Sequence, residues 1–486
     1  MLHAQRVSCS YMHMHAHAHA HAYMPPNHHH DALLWMAPLL SGGGYSSESL
    51  GFALGLHNLT RLDGGLMAGV RQFGEPQDES FVEGLPKALI PPLRHLFGAG
   101  ASQDAASGVV VCHSTPDAWV PSKFEGWDEL EPCPPPTAAV SVGRTMFETD
   151  SVPREWVERC SRMDEVWVPT HFHAEAFAAA GVPRERLFVI GEPVDTAFFR
   201  PGRLKPMRLP PLPPPSTPPS TPTPPPPPPP PSGVSPELSP PPADPTPPLV
   251  GPTPPPPFRF LSVFKWEARK GWDALLAAYF SEFGADEPVE LVIKTRPFYS
   301  SGDFETLVED FAAERGLPPR RDRPAVRLLD TEMPLRRLPS LYAAADAFVL
   351  PSRGEGWGRP HAEAMAMGLP VIATNWSGPT AFMSGETGYP LACALVAVPP
   401  ELNLPRHRWA EPDAAHLRAL LREVYTNREE ARRRGAAARR LMEERFSPAA
   451  LAQEAVARAR ELLARRRGAA GGRTRTAERG GARDEL

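Results

Sequence analysis

The chain has 486 residues, 42% of them hydrophobic, enough for two or three domains that each bury a core of their own. A net charge of −5, with no basic stripe and no interleaved aromatics, argues against a nucleic-acid partner, and no run of about 18 apolar residues is present to form a transmembrane helix. The five cysteines (Cys9, Cys112, Cys133, Cys160 and Cys393) are scattered, without the spacing of a zinc site, so neither a disulfide framework nor a bound metal is expected.

Residues 1–30 are low-complexity, with a His-Ala alternation from His13 to His21 and then His28-His29-His30. They are expected to be a disordered leader whose affinity for metals is incidental. Residues 31–200 then alternate strand and helix. Apolar runs at Leu33–Leu39, Gly108–Cys112, Ala138–Val142, Glu165–Val168 and Leu187–Ile190 read as strands. Ser46–Leu56, Pro153–Met163 and Ala174–Ala180 read as helices between them. Near-continuous apolar strands with intervening amphipathic helices predict a parallel sheet covered on both faces. The 64 prolines are concentrated in residues 201–257. Proline fixes φ and removes a backbone donor, so this segment is expected to be an extended linker. Docking of an SH3, WW or profilin-like partner is a second reading of the same segment.

Alternation resumes over residues 258–466. Predicted strands are Arg259–Phe264, Glu290–Thr295, Ala325–Leu329, Ala347–Pro351 and Pro370–Thr374. Predicted helices are Trp272–Phe283, Phe304–Glu314, Leu335–Ala344, His361–Met367, Asp413–Thr426, Arg428–Glu444 and Pro448–Arg466. Residues 467–486 read as a disordered polar tail ending Arg483-Asp484-Glu485-Leu486, which resembles a retrieval signal of the endoplasmic reticulum lumen. No apolar entry signal lies in residues 1–30, so the expected lumenal location keeps the cytoplasm as its alternative.

The densest chemistry is the string from Pro351 to Ile372, PSRGEGWGRPHAEAMAMGLPVI. A strand is expected to end at Leu350, a glycine-rich turn to follow, and a helix to begin near Arg359. Backbone N–H groups at such a helix start hold phosphate oxygens, and glycines allow close approach. Glu355 in the turn and Glu363 in the helix suit neutral hydroxyls, because carboxylates repel phosphate. A second string, Ser262 to Asp273, places Lys265 and Lys270 in a loop before Gly271.

These strings resemble glycosyltransferase family 4, a group of retaining enzymes. Glu355 and Glu363 match its pair of glutamates, and EGWG, EAMAMGLPVIAT and SGPT match the surrounding pattern. The resemblance implies a GT-B fold: α/β, with two Rossmann-like doubly wound domains facing a central cleft. It implies that Glu355 meets the donor sugar, Glu363 the ribose, and Lys265 and Lys270 the diphosphate, with Gly356, Trp357 and Gly358 shaping the turn. Gly43 and Gly44 resemble the family's glycine loop near donor and acceptor. His113, Arg144 and Glu148 fall on the acceptor side. The catalytic set implied is Lys265, Lys270, Glu355 and His113, acting on a nucleotide-sugar without cofactor or metal, toward a glycan, protein or lipid acceptor. Two departures stand out. Lys265 occupies a position that is more often Arg, and Ala381 one where many relatives carry Glu. A catalytically silent scaffold with a partner-docking linker, or a sugar-nucleotide epimerase on the same architecture, remain the alternatives.

Overall fold

The computed structural model describes residues 31–63, 65–125, 131–210, 256–297 and 302–480. The histidine-rich leader, most of the proline-rich segment and the final Arg-Asp-Glu-Leu lie outside them. In the first half β1 (Asp31–Ala37), β2 (Leu66–Gln72), β3 (Gly108–His113), β4 (Val140–Arg144), β5 (Glu165–Val168) and β6 (Leu187–Val189) form one sheet, ordered β2-β1-β3-β4-β5-β6. Every ladder in it is parallel. Leu33 to Ala37 are buried on both faces, as a central strand of such a sheet requires. The flanking helices are α1 (Gly44–Leu62), α2 (Glu79–Gly84), α3 (Ile90–Ser102), α4 (Arg154–Cys160) and α5 (His171–Ala180).

The second half repeats the plan. Strands β7 (Phe258–Val263), β8 (Val289–Lys294), β9 (Ala325–Leu329), β10 (Ala347–Leu350), β11 (Val371–Thr374) and β12 (Tyr389–Leu391) are ordered β12-β11-β10-β7-β8-β9. The hairpin β13 (Cys393–Ala397) and β14 (Arg408–Pro412) stands apart as an antiparallel pair. Helices α6 (Trp272–Glu282), α7 (Phe304–Glu314), α8 (Leu338–Tyr342), α9 (Arg359–Ala366), α10 (Ala414–Thr426), α11 (Arg428–Arg445) and α12 (Pro448–Gly480) complete it. Among the described residues, no helix is long and apolar enough to cross a membrane.

Strand order locates the cleft. In the first sheet the chain reverses direction across the sheet between β1 and β3; in the second, between β7 and β10. Loops diverge at such switch points and leave a crevice beyond the strands' carboxyl ends. The loops that leave β1, β7 and β10 carry the glycine turn, the two lysines and Glu355. One apolar cluster runs from Trp35 and Leu56 in the first half through Phe198, Trp357 and Phe446 to Phe260 and Ile372 in the second, so the halves share a core.

Three features depart from expectation. Helix α12 lies in the second half of the sequence but packs on the first sheet. Arg458 reaches Glu165 (Nε to Oε2, 3.0 Å), Arg460 reaches Asp31 (3.0 Å), and Gly55 of α1 touches Pro448 and Ala452. The helix also continues past Arg466 to Gly480, through residues rich in the strong helix formers Ala and Arg. Finally, Cys112 and Cys133 form a disulfide with Cα atoms 5.7 Å apart, correcting the reading of five unlinked cysteines. The end of β3 and the returning loop bring together residues 21 positions apart, which spacing alone did not signal.

Candidate functional site

After β7 the chain makes a short helical turn at Ala268–Lys270 and enters α6 through Gly271. Gly271 has φ +64°, and a Cβ there would come within 2.1 Å of the Pro351 carbonyl. Glycine thus lets the lysine loop lie directly against the turn that follows β10. That contact sets the site. Lys270 Nζ sits 2.8 Å from both Glu355 carboxylate oxygens. Beside it Arg269 donates to the Gly354 carbonyl (2.7 Å) and to Glu267 (2.7 Å), and lies 3.6 Å from both Glu148 and Glu355. Glu355 is 5% exposed. Burial alone would raise its carboxyl, but Lys270 and then Arg269 bring it down to about 2. Its backbone is fixed as well, the N–H donating to Ser377 Oγ at 3.0 Å.

Gly358, with φ +97°, starts α9, and His361 ties that helix to β10 by donating to the Leu350 carbonyl at 3.1 Å. One turn further on, Glu363 accepts from the Tyr342 hydroxyl at 2.9 Å. Burial pushes its carboxyl up, against the opposing pull of Arg359. Glu363 and Arg359 line a cavity of about 50 Å³ whose other walls include Ser47 and Leu50 of α1, Phe198 and Leu335. Glu355 and Glu363 therefore flank the start of α9, one toward the lysine loop and one toward this cavity. Gly356 lies against Met146 of the first half, and a Cβ there would meet its sulfur at 2.0 Å. The Trp357 ring turns away from the cleft, 2% exposed, onto Phe382 and Phe446.

Lys265 is half-buried. Burial and the neighbouring Arg296 lower its ammonium, with Glu267 and Glu75 opposing. Glu75 in turn lies against Gly43, where a Cβ would approach its carboxylate to 2.9 Å, and Gly44 opens α1. The glycine loop, Lys265, Lys270, Glu355 and Glu148 are thus linked by a chain of neighbouring side chains that spans the two halves.

His113 and Arg144 sit deeper. Both are fully buried and converge on Glu48 of α1, His113 Nε2 at 2.9 Å and Arg144 Nε at 2.5 Å. Burial would raise the Glu48 carboxyl, and Arg144 then His113 lower it to about 2. The Trp35 indole N–H can only donate, and it points at His113 Nδ1 from 3.0 Å. That assigns the ring as neutral with its proton on Nε2, so both nitrogens are committed. Arg144 also donates to the Ile190 and Gly191 carbonyls at 2.8 and 3.0 Å. Among the described residues, no three His, Cys, Asp or Glu side chains are placed to share a metal ion.

This architecture is similar over nearly its whole length to solved structures of low sequence identity. Anabaena HepE in complex with UDP-glucose aligns with TM-score 0.52 and 15% identity, over 88% of this chain and 99% of that one. Sucrose-phosphate synthase from Thermosynechococcus elongatus aligns with TM-score 0.53 and 17% identity, over 89% and 99%. The chain has the GT-B fold. Within it, residues 257–401 match the family model of glycosyl transferases group 1. That segment of the GT-B chain holds Lys265, Lys270, Glu355 and Glu363. D-inositol 3-phosphate glycosyltransferase from Corynebacterium urealyticum is 35% identical over 113 residues, 23% of this chain and 25% of the relative. The namesake from Corynebacterium diphtheriae is 45% identical over 64 residues, 13% of this chain and 15% of its own length. The GT-B chain thus spans a quarter or less of the length of these relatives.

Sequence reasoning passed over Arg269, Glu48 and Glu75. Arg269 lies between the two lysines and was overlooked because they already had the expected spacing. Glu48 sits on a helix that reads as ordinary. Glu75 follows a strand, β2, that was not predicted.

Proposed function

We propose that the protein is a retaining, metal-independent glycosyltransferase that moves a sugar from a nucleotide-diphospho-sugar to an acceptor hydroxyl. The observation that carries this reading is the placement of two glutamates on either side of one helix start, with Lys270 on the first of them. A diphosphate at that start meets N–H groups and the positive end of the helix. Donor-sugar hydroxyls take over the hydrogen bonds of Glu355, which frees Lys270 for a phosphate oxygen. Lys265 serves the same anion from the opposite lip. Glu363, on the cavity side, accepts from ribose hydroxyls. The match of residues 257–401 to the group 1 model supports the donor class, as does the UDP-glucose bound by HepE.

As the bond from the anomeric carbon to the phosphate oxygen breaks, negative charge grows on the diphosphate, and fixed cations there lower the barrier. The acceptor oxygen bonds the same carbon from the leaving-group side, and its proton passes to a phosphate oxygen. His113, with both ring nitrogens engaged, is not asked to take it. UDP-, GDP- and ADP-sugars are to be screened by thermal shift and by product analysis with and without acceptor. One nucleotide class is expected to raise the melting temperature, and Lys270→Ala to slow transfer by about 2–4 kcal/mol of barrier. If no nucleotide shifts melting, or Lys270→Ala turns over normally at saturating donor, the proposal fails.

A further inference from the structure

Next to Glu355, at Gly354, the second half meets an aromatic pair that the proposed donor site leaves unassigned. Trp376, in the loop between β11 and Ser377, is partly exposed and meets Phe172, the second residue of α5, edge-to-face with centroids 4.7 Å apart. Phe172 belongs to the first half and Trp376 to the second, so the pair bridges the mouth of the cleft. It stands close to the sugar position of the proposed donor site. A Cβ on Gly354 would come within 2.1 Å of the Glu148 carbonyl and 3.2 Å of the Trp376 ring, which places Trp376, Glu148 and Glu355 around one glycine. The Glu148 side chain is about a third exposed there (36%).

Charge decides which acceptor suits this corner. Its carboxylates are Glu148, Glu267 and, across the glycine loop, Glu75. The cations beside them have work already: Arg269 is shared among Gly354, Glu267, Glu148 and Glu355, Lys270 is held by Glu355, and Lys265 faces Glu267 and Glu75. A phosphorylated or carboxylated acceptor would face like charge at close range. A neutral saccharide matches both surfaces, because its C–H face lies against an aromatic ring and its hydroxyls donate to carboxylates. We infer that the acceptor is a neutral saccharide, stacked on Trp376 beside Phe172 with a hydroxyl on Glu148. This rests on the donor reading for the position of the transferred sugar, but not for the saccharide site itself.

The test uses the full chain, with and without the nucleotide that stabilises it. Binding of methyl hexosides and of neutral di- and trisaccharides is compared with that of hexose 6-phosphates by saturation-transfer NMR and tryptophan fluorescence. Neutral saccharides should bind at least about tenfold more tightly than the phosphates. Trp376→Ala should weaken saccharide binding about tenfold, and Trp376→Phe only about twofold to threefold, in line with one stacked ring. Glu148→Gln should narrow the gap between neutral and phosphorylated ligands, a shift that a purely structural role would not produce. Nucleotide affinity measured on the same samples reports an intact cleft. Phosphates that bind as well as neutral sugars, a Trp376→Ala protein that binds saccharides normally, or no saccharide binding at all would each overturn the inference. Absence of nucleotide binding to the unaltered chain would instead strike the donor reading, while the saccharide arm still reads out.

Discussion

The Lys270–Glu355 pair makes a prediction at the scale of single residues. Glu355 falls from its ordinary 4.5 to about 2 in the folded chain, because Lys270 and Arg269 outweigh the cost of burial. A depressed carboxyl contributes stability above its unfolded value, and that contribution is lost as pH falls from about 4.5 toward 2. At roughly 1.36 kcal/mol per unit, the contribution at neutral pH is on the order of 3 kcal/mol. In Lys270→Met, burial is opposed only by Arg269 and, more weakly, His361, so the carboxyl titrates higher and the fall in stability begins at higher pH. Glu48 titrates in the same acid window, so the informative quantity is the difference between variant and parent in urea midpoints from pH 3 to 6. Superimposable profiles would show that the pair carries no such energy. At this scale the sequence was legible for position: Glu355 lies in the turn after β10, Glu363 in α9 and the two lysines in the loop after β7, as their neighbours in the chain suggest. It was opaque for Glu48, whose significance arises only when β3 and β4 carry His113 and Arg144 over the same turn of α1. The Cys112–Cys133 bond was hidden for the same reason.

Elements with one strong period were readable, and those assembled from compromises were not. Strands β1, β3 and β10 carry near-continuous apolar runs (Ala32–Ala37, Gly108–Cys112 and Ala347–Leu350), as a doubly covered sheet requires. Strand β2 was missed because Gly69 and Arg71 break its pattern. Gly69 is small because Gly100 of α3 packs against it, a Cβ there coming within 2.5 Å. Helix α3 was missed in turn, with two prolines at its start and two glycines near its end. The crossing of α12 to the first sheet left no mark on its own periodicity, and its clearest signature is on the partner helix. Gly55, inside α1, has no room for a methyl group: a Cβ would lie 2.1 Å from the Pro448 carbonyl and 2.6 Å from Ala452. Glycine to alanine inside a helix ordinarily gains about 1 kcal/mol. Here that gain is set against overpacking of a backbone carbonyl, typically about 1–3 kcal/mol. The collision should win, so Gly55→Ala is expected to lower the urea midpoint, and Gly98→Ala, which has nothing within 4 Å, to leave it unchanged or raise it. Equal midpoints for the two variants would mean that α12 is not seated on α1.

For the whole molecule the question is how the two sheets are held across the cleft. Asp150 of the first half pairs with Arg408 of the β13–β14 hairpin at 2.7 Å, and Thr149 with His407 at 2.6 Å. Ser80 donates to Glu332 at 2.6 Å, on the far side of the cleft. Beneath these contacts the glycine-rich turn itself touches the other half, through Gly354 on the Glu148 carbonyl and Gly356 on Met146. A GT-B cleft needs this closeness, since the reacting groups are contributed by both halves and water must be kept out. Gly354 does not have the positive φ that would demand glycine for its own sake, so a substitution there tests the approach of the halves rather than the turn. In Gly354→Ala the methyl would fall 2.1 Å from a backbone carbonyl that no side-chain rotation can move. The halves must therefore part slightly. A misplacement of about 1 Å commonly costs about a hundredfold in rate, whereas the charged side chains proposed for the nucleotide, Lys265, Lys270 and Glu363, all come from the second half. The expected result is turnover down about a hundredfold, nucleotide affinity within about threefold of the parent, and a larger radius of gyration by solution scattering. If turnover and affinity fell together while the scattering curve stayed the same, the damage would be local to the turn, and catalysis would not depend on how closely the two sheets approach.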